Sequence, residues 1–416
     1  MTPPLAAADG LGPLLARPGF TRLLLFRISA MLSYQIVAVT VGWHIYEITR
    51  NPFSLGLIGL AEVLPYFCTA PFAGYLVDHL PRRRLGMLAC AGLAGTATIL
   101  VAAASGWLPF AGTWPIYLAI ALTGMVRAFL SPIYNALFAR VLERSQYARG
   151  AGVGSVVFQT GMVIGPALGG GLVAWGGKSL AYGVAAAAAL LSLWALAVLK
   201  VEEPPAPARS VPIFSSIAEG ARFVWQTPVM LGAMALDMFS VLLGGVVAML
   251  PAFIQEILHH GPEGLGILRA APALGSVVVG VWLARRPLHR HAGPVLLGAV
   301  AGFGLCVIAF GLSRSFWLSA AILLFYGAFD GVSVVVRSTI LQLATPEGMR
   351  GRVSSINGLF ISSSNELGAF YAGTMARWLG LVSAVVLGGG AVLGVAAITA
   401  WKNPALRRLD LRQLQS

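Results

Sequence analysis

The feature that most limits what this chain can become is a succession of apolar segments, each about as long as a bilayer is thick, separated by turn residues or charges. A hydrocarbon core of about 30 Å is crossed by roughly 20 residues of helix. Twelve segments of that kind can be marked: 21–48, 53–77, 85–105, 115–139, 150–174, 179–200, 229–257, 263–284, 293–313, 317–341, 353–377 and 380–401. Each is continuously apolar, whereas barrel strands would alternate over stretches of about ten residues, so spanning helices are expected. The expected fold class is an all-α membrane protein. Composition agrees, with 57% hydrophobic and 10% charged residues, outside the usual range of soluble domains.

A net charge of +13 would suit a protein that binds polyanions, so the position of the charges decides their meaning. With the N-terminus in the cytoplasm, twenty of the 28 Lys and Arg fall on that side. Arg50, Lys178, Arg314 and Arg377 fall on the other, and Arg27, Arg127, Arg269 and Arg337 inside spans. That asymmetry is the positive-inside rule. It predicts both termini on the cytoplasmic face, contact with the lipid bilayer, and no nucleic-acid partner. Residues 1–19 lack a basic segment leading into an apolar stretch and a small-residue cleavage site, so the first span is expected to be retained. Cys68, Cys90 and Cys306 sit within spans, far from any metal-ligand or disulfide spacing. They are read as small core residues, and neither metal nor cofactor is expected.

The longest polar, proline-bearing stretch, 201–228, separates six spans from six. The expected organisation is an N-terminal half 1–200, a cytoplasmic linker 201–228 and a C-terminal half 229–416. Weak self-similarity supports a duplication. Shifted by about 207 residues, Gly59 falls on Gly266, Pro65 on Pro272, Glu62 on Arg269 and Asp78 on Arg285.

Three motifs then resemble the major facilitator superfamily of secondary transporters. GYLVDHLPRR is similar to that family's loop between spans two and three, matching at Gly74, Leu76, Asp78, Arg82 and Arg83 and departing at Val77, His79 and Pro81. The resemblance implies that Asp78 docks at a helix end and helps hold one access state, a contact broken when the halves move. GMVIGPALGG resembles the antiporter motif of the family's exporters, with Gly161, Gly165, Pro166, Gly169 and Gly170 in place. The glycines suit close helix approach, and the proline a bend. The segments GWHIYEITRNPFSLGLIGLAEVLP and Arg337 to Phe370 resemble the branch containing bacterial enterobactin exporters. Membership of that branch would bring two pseudo-symmetric six-helix halves, alternating access, a monomer and a bacterial cytoplasmic membrane.

Ionisable groups at bilayer depth cost about 2.5–3.5 kcal/mol each on insertion scales, so each needs a partner, a wet cavity or a function. The acids are Glu62, Asp237, Asp330 and Glu366; the bases are Arg27, Arg127, Arg269 and Arg337. Arg127, Ser131 and Tyr134 share one helix face, and Arg127 sits where the family often carries an arginine tied to coupling. Asp330 and Arg337, seven apart, share a face about 10 Å apart along the axis, too far to bridge directly. Asp237 shares a face with Met230 and Met234, which suits a cavity. Glu366 follows a polar run, Ser362 to Asn365, with Asn357 two turns earlier. A carboxylate alternating between an apolar setting and an arginine can load and release a proton, and the candidates in order are Asp237, Glu62, Asp330 and Glu366. Arg27, Tyr34, Gln35, Tyr66, Arg269 and Asn357 are candidates to line a cargo cavity, while Trp43 and His44 are expected near the outer interface.

No enzyme is expected. The nearest phosphate loop, WGGKS at Lys178 and Ser179, has Leu172 where a glycine is required. The reading is a proton-coupled exporter of a small organic molecule such as a siderophore or drug. An importer or symporter on the same fold is the alternative, against which the antiporter motif weighs, and a transport-inactive sensor is a third.

Overall fold

A helix satisfies its backbone hydrogen bonds within one segment, which is why apolar runs of this length become helices in a medium without water. The computed structural model describes residues 14–107, 112–201, 213–286, 291–346 and 349–410. Among them all regular structure is helical: α1 Pro18–Thr49, α2 Pro52–His79, α3 Arg82–Ala104, α4 Trp114–Val141, α5 Tyr147–Ala197, α6 Ile213–Gln226, α7 Pro228–Leu243, α8 Leu250–Phe253, α9 Pro262–Arg285, α10 Ala292–Leu312, α11 Phe316–Ala344, α12 Arg350–Leu379, α13 Leu381–Lys402 and α14 Pro404–Arg407. Prolines open α7 and α9 and stand in the first turn of α4, where the missing N–H has no intrahelical partner to lose.

Among the described residues ten helical stretches are long and apolar enough to cross a membrane. One of them is two crossings, because α5 turns at Gly177, whose φ of 78° favours glycine. The 30-residue α12 supplies the remaining crossing and is more polar. The chain is therefore a multi-pass membrane protein with twelve transmembrane helices. Exposed tryptophans stand at or beside helix ends, among them Trp107, Trp114, Trp225, Trp317, Trp378 and Trp401, as interfacial rings do.

Span seven departs from expectation. In place of one helix over 229–257, α7 stops at Leu243, a 3-10 turn covers Val246–Met249, and a π-helical turn follows α8 at Ile254–Leu258. Gly244 and Gly245 weaken the helix, and Pro251 has no N–H for the carbonyl four residues back. The break also admits close neighbours: a Cβ on Gly244 would lie 2.7 Å from the Phe303 ring, and one on Gly245 3.0 Å from the Gly368 carbonyl.

Packing groups the chain into two units, Met1–Thr40 with Leu64–Ser210, and Val41–Val63 with Val211–Ser416. The sequence alone would divide it at 201–228, yet the residues around the α1–α2 turn group with the second unit. The first unit's core draws Leu23 and Phe26 from α1, Leu93 from α3, Ile133 and Leu137 from α4 and Leu196 from α5. In the second unit, Val224, Met230, Met234, Leu341, Val353 and Ile356 form a core that α6, α7, α11 and α12 share. Met230 and Met234 are thus packed rather than cavity-lining. Trp43 and His44, expected near the interface, are buried, while Cys68, expected in the core, is exposed.

Candidate functional site

In the first unit two arginines, Arg127 of α4 and Arg27 of α1, lie against aromatic rings along α4. The Arg127 guanidinium donates to the Tyr34 hydroxyl and lies 5.0 and 5.2 Å from the ring centroids of Tyr34 and Tyr66. Two turns along, Arg27 of α1 lies 3.9 Å over the Tyr134 ring and 5.2 Å from that of Phe158. Cation–π contact of this kind is worth about 0.5–2 kcal/mol, more when desolvated. Ser131, between the two, is exposed.

The glycines of the GMVIGPALGG motif face α1. A Cβ on Gly161 would lie 2.7 Å from Met31 Cγ, on Gly165 2.6 Å from Gln35 Cβ, and on Gly169 3.2 Å from Val39 Cβ. Gly170 is buried, and Pro166 lies within the helix. These small residues bring α5 and α1 close. Gln35, a cavity candidate, is buried in that seam and donates to Met162 Sδ at 3.2 Å. Arg83 donates through Nε to the Leu196 carbonyl at 2.9 Å, and Arg22 to the Val198 carbonyl at 2.8 Å. Both satisfy carbonyls at the C-terminal end of α5, where positive charge is favoured. Arg82 stands at the start of α3, and the side chain of Asp78 lies outside the described residues.

In the second unit, Asp237 of α7 and Arg337 of α11 form a buried ion pair. Asp237, Ser240, Asp330 and Ser333 line one small cavity with Val241, Val300 and Phe303. Tyr326 packs on Phe303 with ring centroids 4.3 Å apart. Among the described residues Asp330 has no ion-pair partner, and the buried Ser333 hydroxyl has no hydrogen-bond partner. Ser240 donates to the Leu236 carbonyl at 2.5 Å, so its proton is already used and its oxygen can only accept a further bond. The acid seven residues from Arg337 is thus not its partner; the partner comes from another helix. Sequence spacing misses Ser240 and Ser333 as site members, although each lies three residues from an acid and therefore on its face.

The other embedded acids occupy a different seam. Glu62 is buried on α2, and one turn before it a Cβ on Gly59 would lie 2.5 Å from the Glu366 carbonyl of α12. Glu366 and Asn357 are half-buried on α12, as is Arg269 on α9. Much of the polar run before Glu366 is satisfied by its own helix: Ser364 and Asn365 donate to the Ile361 carbonyl at 3.0 and 2.8 Å. Sequence reading also misses a contact at the end of α1, where the Tyr46 hydroxyl donates to Glu256 and Arg50 donates to Gln255 Oε1 at 2.6 Å.

Known proteins of similar sequence and structure can be set beside this geometry. The enterobactin exporter EntS of Citrobacter koseri is 28% identical over 384 residues, 90% of each chain. That of Escherichia coli O157:H7 is 27% identical over 398 residues, covering 94% of this chain and 93% of its own. Among solved structures, a POT family transporter in complex with 5-aminolevulinic acid superposes with a TM-score of 0.77 at 12% identity, over 96% of this chain and 98% of its own. A bacterial homologue of the lysosomal transporter Spinster gives 0.70 at 17% identity, over 96% and 98%. At such identities the structures speak for the fold alone. The family model of the Major Facilitator Superfamily, however, matches residues 23–369, the stretch that holds most of α1, all of α2 to α11 and most of α12 with both arginine seats and the Asp237–Arg337 pair, and the chain belongs to that superfamily.

Proposed function

We propose that this chain is a proton-coupled exporter of a small organic molecule, of the siderophore or drug kind. Two six-helix halves, 1–200 and 229–416 joined by 201–228, rock about a central site to give alternating access. The observation that carries coupling is Asp330, which lines a cavity beside the Asp237–Arg337 pair. The pair cancels its own charge, so the cavity retains one excess negative charge when Asp330 is ionised. One proton removes it, and a change from charged to neutral at bilayer depth alters which packing is favoured. Ser240 and Ser333 line the same space, and the Ser333 hydroxyl can donate a hydrogen bond to the carboxyl.

Export rather than uptake is supported by GMVIGPALGG in α5 and by the relatives named enterobactin exporter. The protein works as a monomer in a bacterial cytoplasmic membrane, with both termini cytoplasmic, as its basic loops favour. Siderophore-producing cells with and without the protein are compared for siderophore in the medium, and proteoliposomes bearing an imposed pH gradient then measure coupling. Wild-type protein is expected to raise siderophore in the medium and to move cargo with the gradient. Asp330→Asn is expected to slow gradient-driven flux by at least about tenfold, the effect expected of losing a proton-transfer group. Flux indifferent to both the gradient and this substitution rejects proton coupling.

A further inference from the structure

Arg27 is one of the embedded charges that the coupling cavity does not use. In the stretches of α1 to α5 that belong to the first unit the one acid is Asp78, in the last turn of α2; Glu47 and Glu62 of α1 and α2 lie in the residues that group with the second unit, and Glu143 follows α4. Glu143 is already engaged with Arg17 at 3.1 Å. Among the described residues Arg27 has two aromatic rings against its guanidinium and neither an ion-pair partner nor a hydrogen-bond acceptor. An arginine at bilayer depth with its donors unused is costly. Rings lying over a guanidinium leave its edge, a planar fork of N–H donors suited to two oxygens in one plane.

A second group points to the same spot. Tyr134 is 7% exposed, and its hydroxyl has no hydrogen-bond partner among the described residues. The hydroxyl and an Arg27 terminal nitrogen meet at Gly154: a Cβ there would overlap Tyr134 Oη and lie 3.3 Å from Arg27 Nη1. A side chain at position 154 would therefore push the two donors away from the α5 backbone against which they stand together.

We propose that Arg27, Tyr134 and Gly154 form a recognition site for the oxygens of a small organic anion, a carboxylate or phenolate, with Phe158 flanking the aromatic body of that ligand. That the anion is the exported cargo rests on the transport reading; that the anion binds does not. The guanidinium edge takes the two oxygens, the Tyr134 hydroxyl donates to one of them, and the absent Cβ of residue 154 lets the two donors stand side by side.

The test is calorimetric titration of the purified full-length protein with benzoate and with benzamide, a neutral molecule of nearly the same shape. Benzoate is expected to bind at least about tenfold more tightly than benzamide, the preference of a charge-assisted contact. Arg27→Gln should reduce benzoate to the benzamide level, and Gly154→Ala should weaken benzoate by displacing the Tyr134 hydroxyl and the Arg27 guanidinium from one another. Should Arg27→Gln fail to fold, Tyr134→Phe keeps the ring beneath the guanidinium and removes only the hydroxyl, and benzoate is expected to bind several-fold more weakly. Equal affinity for the two probes in the wild-type protein, or undiminished benzoate binding in folded Arg27→Gln or Tyr134→Phe, overturns the proposal. Because titration needs no transport, a failure here leaves the export reading standing, and a failure of export leaves the anion site standing.

Discussion

Asp237 and Asp330 line the same cavity, yet removing their charges should have opposite results. Asp237 and Arg337 are both buried and paired, so Asp237→Asn strands a guanidinium in the bundle. A loss of about 3–5 kcal/mol is expected for breaking such a pair from one side. Thermal unfolding in detergent should show it as a marked drop in Tm, and the double variant Asp237→Asn with Arg337→Gln should recover much of the loss. Asp330→Asn removes a carboxylate without a cation partner, and Tm is expected to stay or rise. A lower Tm for Asp330→Asn than for Asp237→Asn would reverse the assignment of the pair. At this scale the sequence makes the embedded charges legible, because each ionisable residue in an apolar run is conspicuous. The pairing is not legible: helical spacing shows only that Asp330 and Arg337 stand two turns apart, and the partner that completes Arg337 comes from a span about a hundred residues earlier.

Among elements, the tightest described seam of the α1–α2 turn region is α2 against α12. A Cβ on Gly373 would lie 2.8 Å from the backbone of Gly56 and from the Pro52 carbonyl, and one on Gly56 3.1 Å from the Ala369 carbonyl. Both sides are backbone, so neither can yield by turning a side chain. Gly373→Ala should cost about 1–3 kcal/mol by overpacking, whereas Gly358→Ala on the same helix meets nothing within 4 Å. The second substitution should be neutral or gain up to about 1 kcal/mol of helix propensity. Thermal unfolding of the two variants side by side checks the contrast, and equal effects would mean that the seam is looser than described. Helix number and most boundaries follow from the apolar runs, since segment length is what a bilayer selects. The break in the seventh span escapes that logic: hydropathy is blind to it, and only the Gly244–Gly245 pair and Pro251 mark the place.

For the whole molecule, chain order and packing order differ. α2 and α9 each carry a proline inside the helix, Pro65 and Pro272, which a shift of about 207 residues sets one upon the other. Residues 41–63 nevertheless group with the second unit, tied there by Tyr46 to Glu256, Arg50 to Gln255 and the glycine seam to α12. A C-terminal piece beginning at residue 229 therefore lacks part of its own packing. Expressed alone it should be degraded or aggregate, and co-expression with a piece spanning 1–228 should restore a complex that co-purifies; a stable, monodisperse C-terminal piece by itself would contradict this.

The same arrangement imposes a wait during synthesis. Residues 52–59 leave the ribosome early, but the α12 surface that receives them, residues 366–373, is made roughly three hundred residues later, on the order of tens of seconds at ordinary translation speed. Throughout that interval the start of α2 has only lipid, water or the insertion machinery against its glycine face. The last quarter of the protein thus closes a joint that the first quarter opened, and a chain released before α12 is complete would carry an unfinished beginning as well as a missing end.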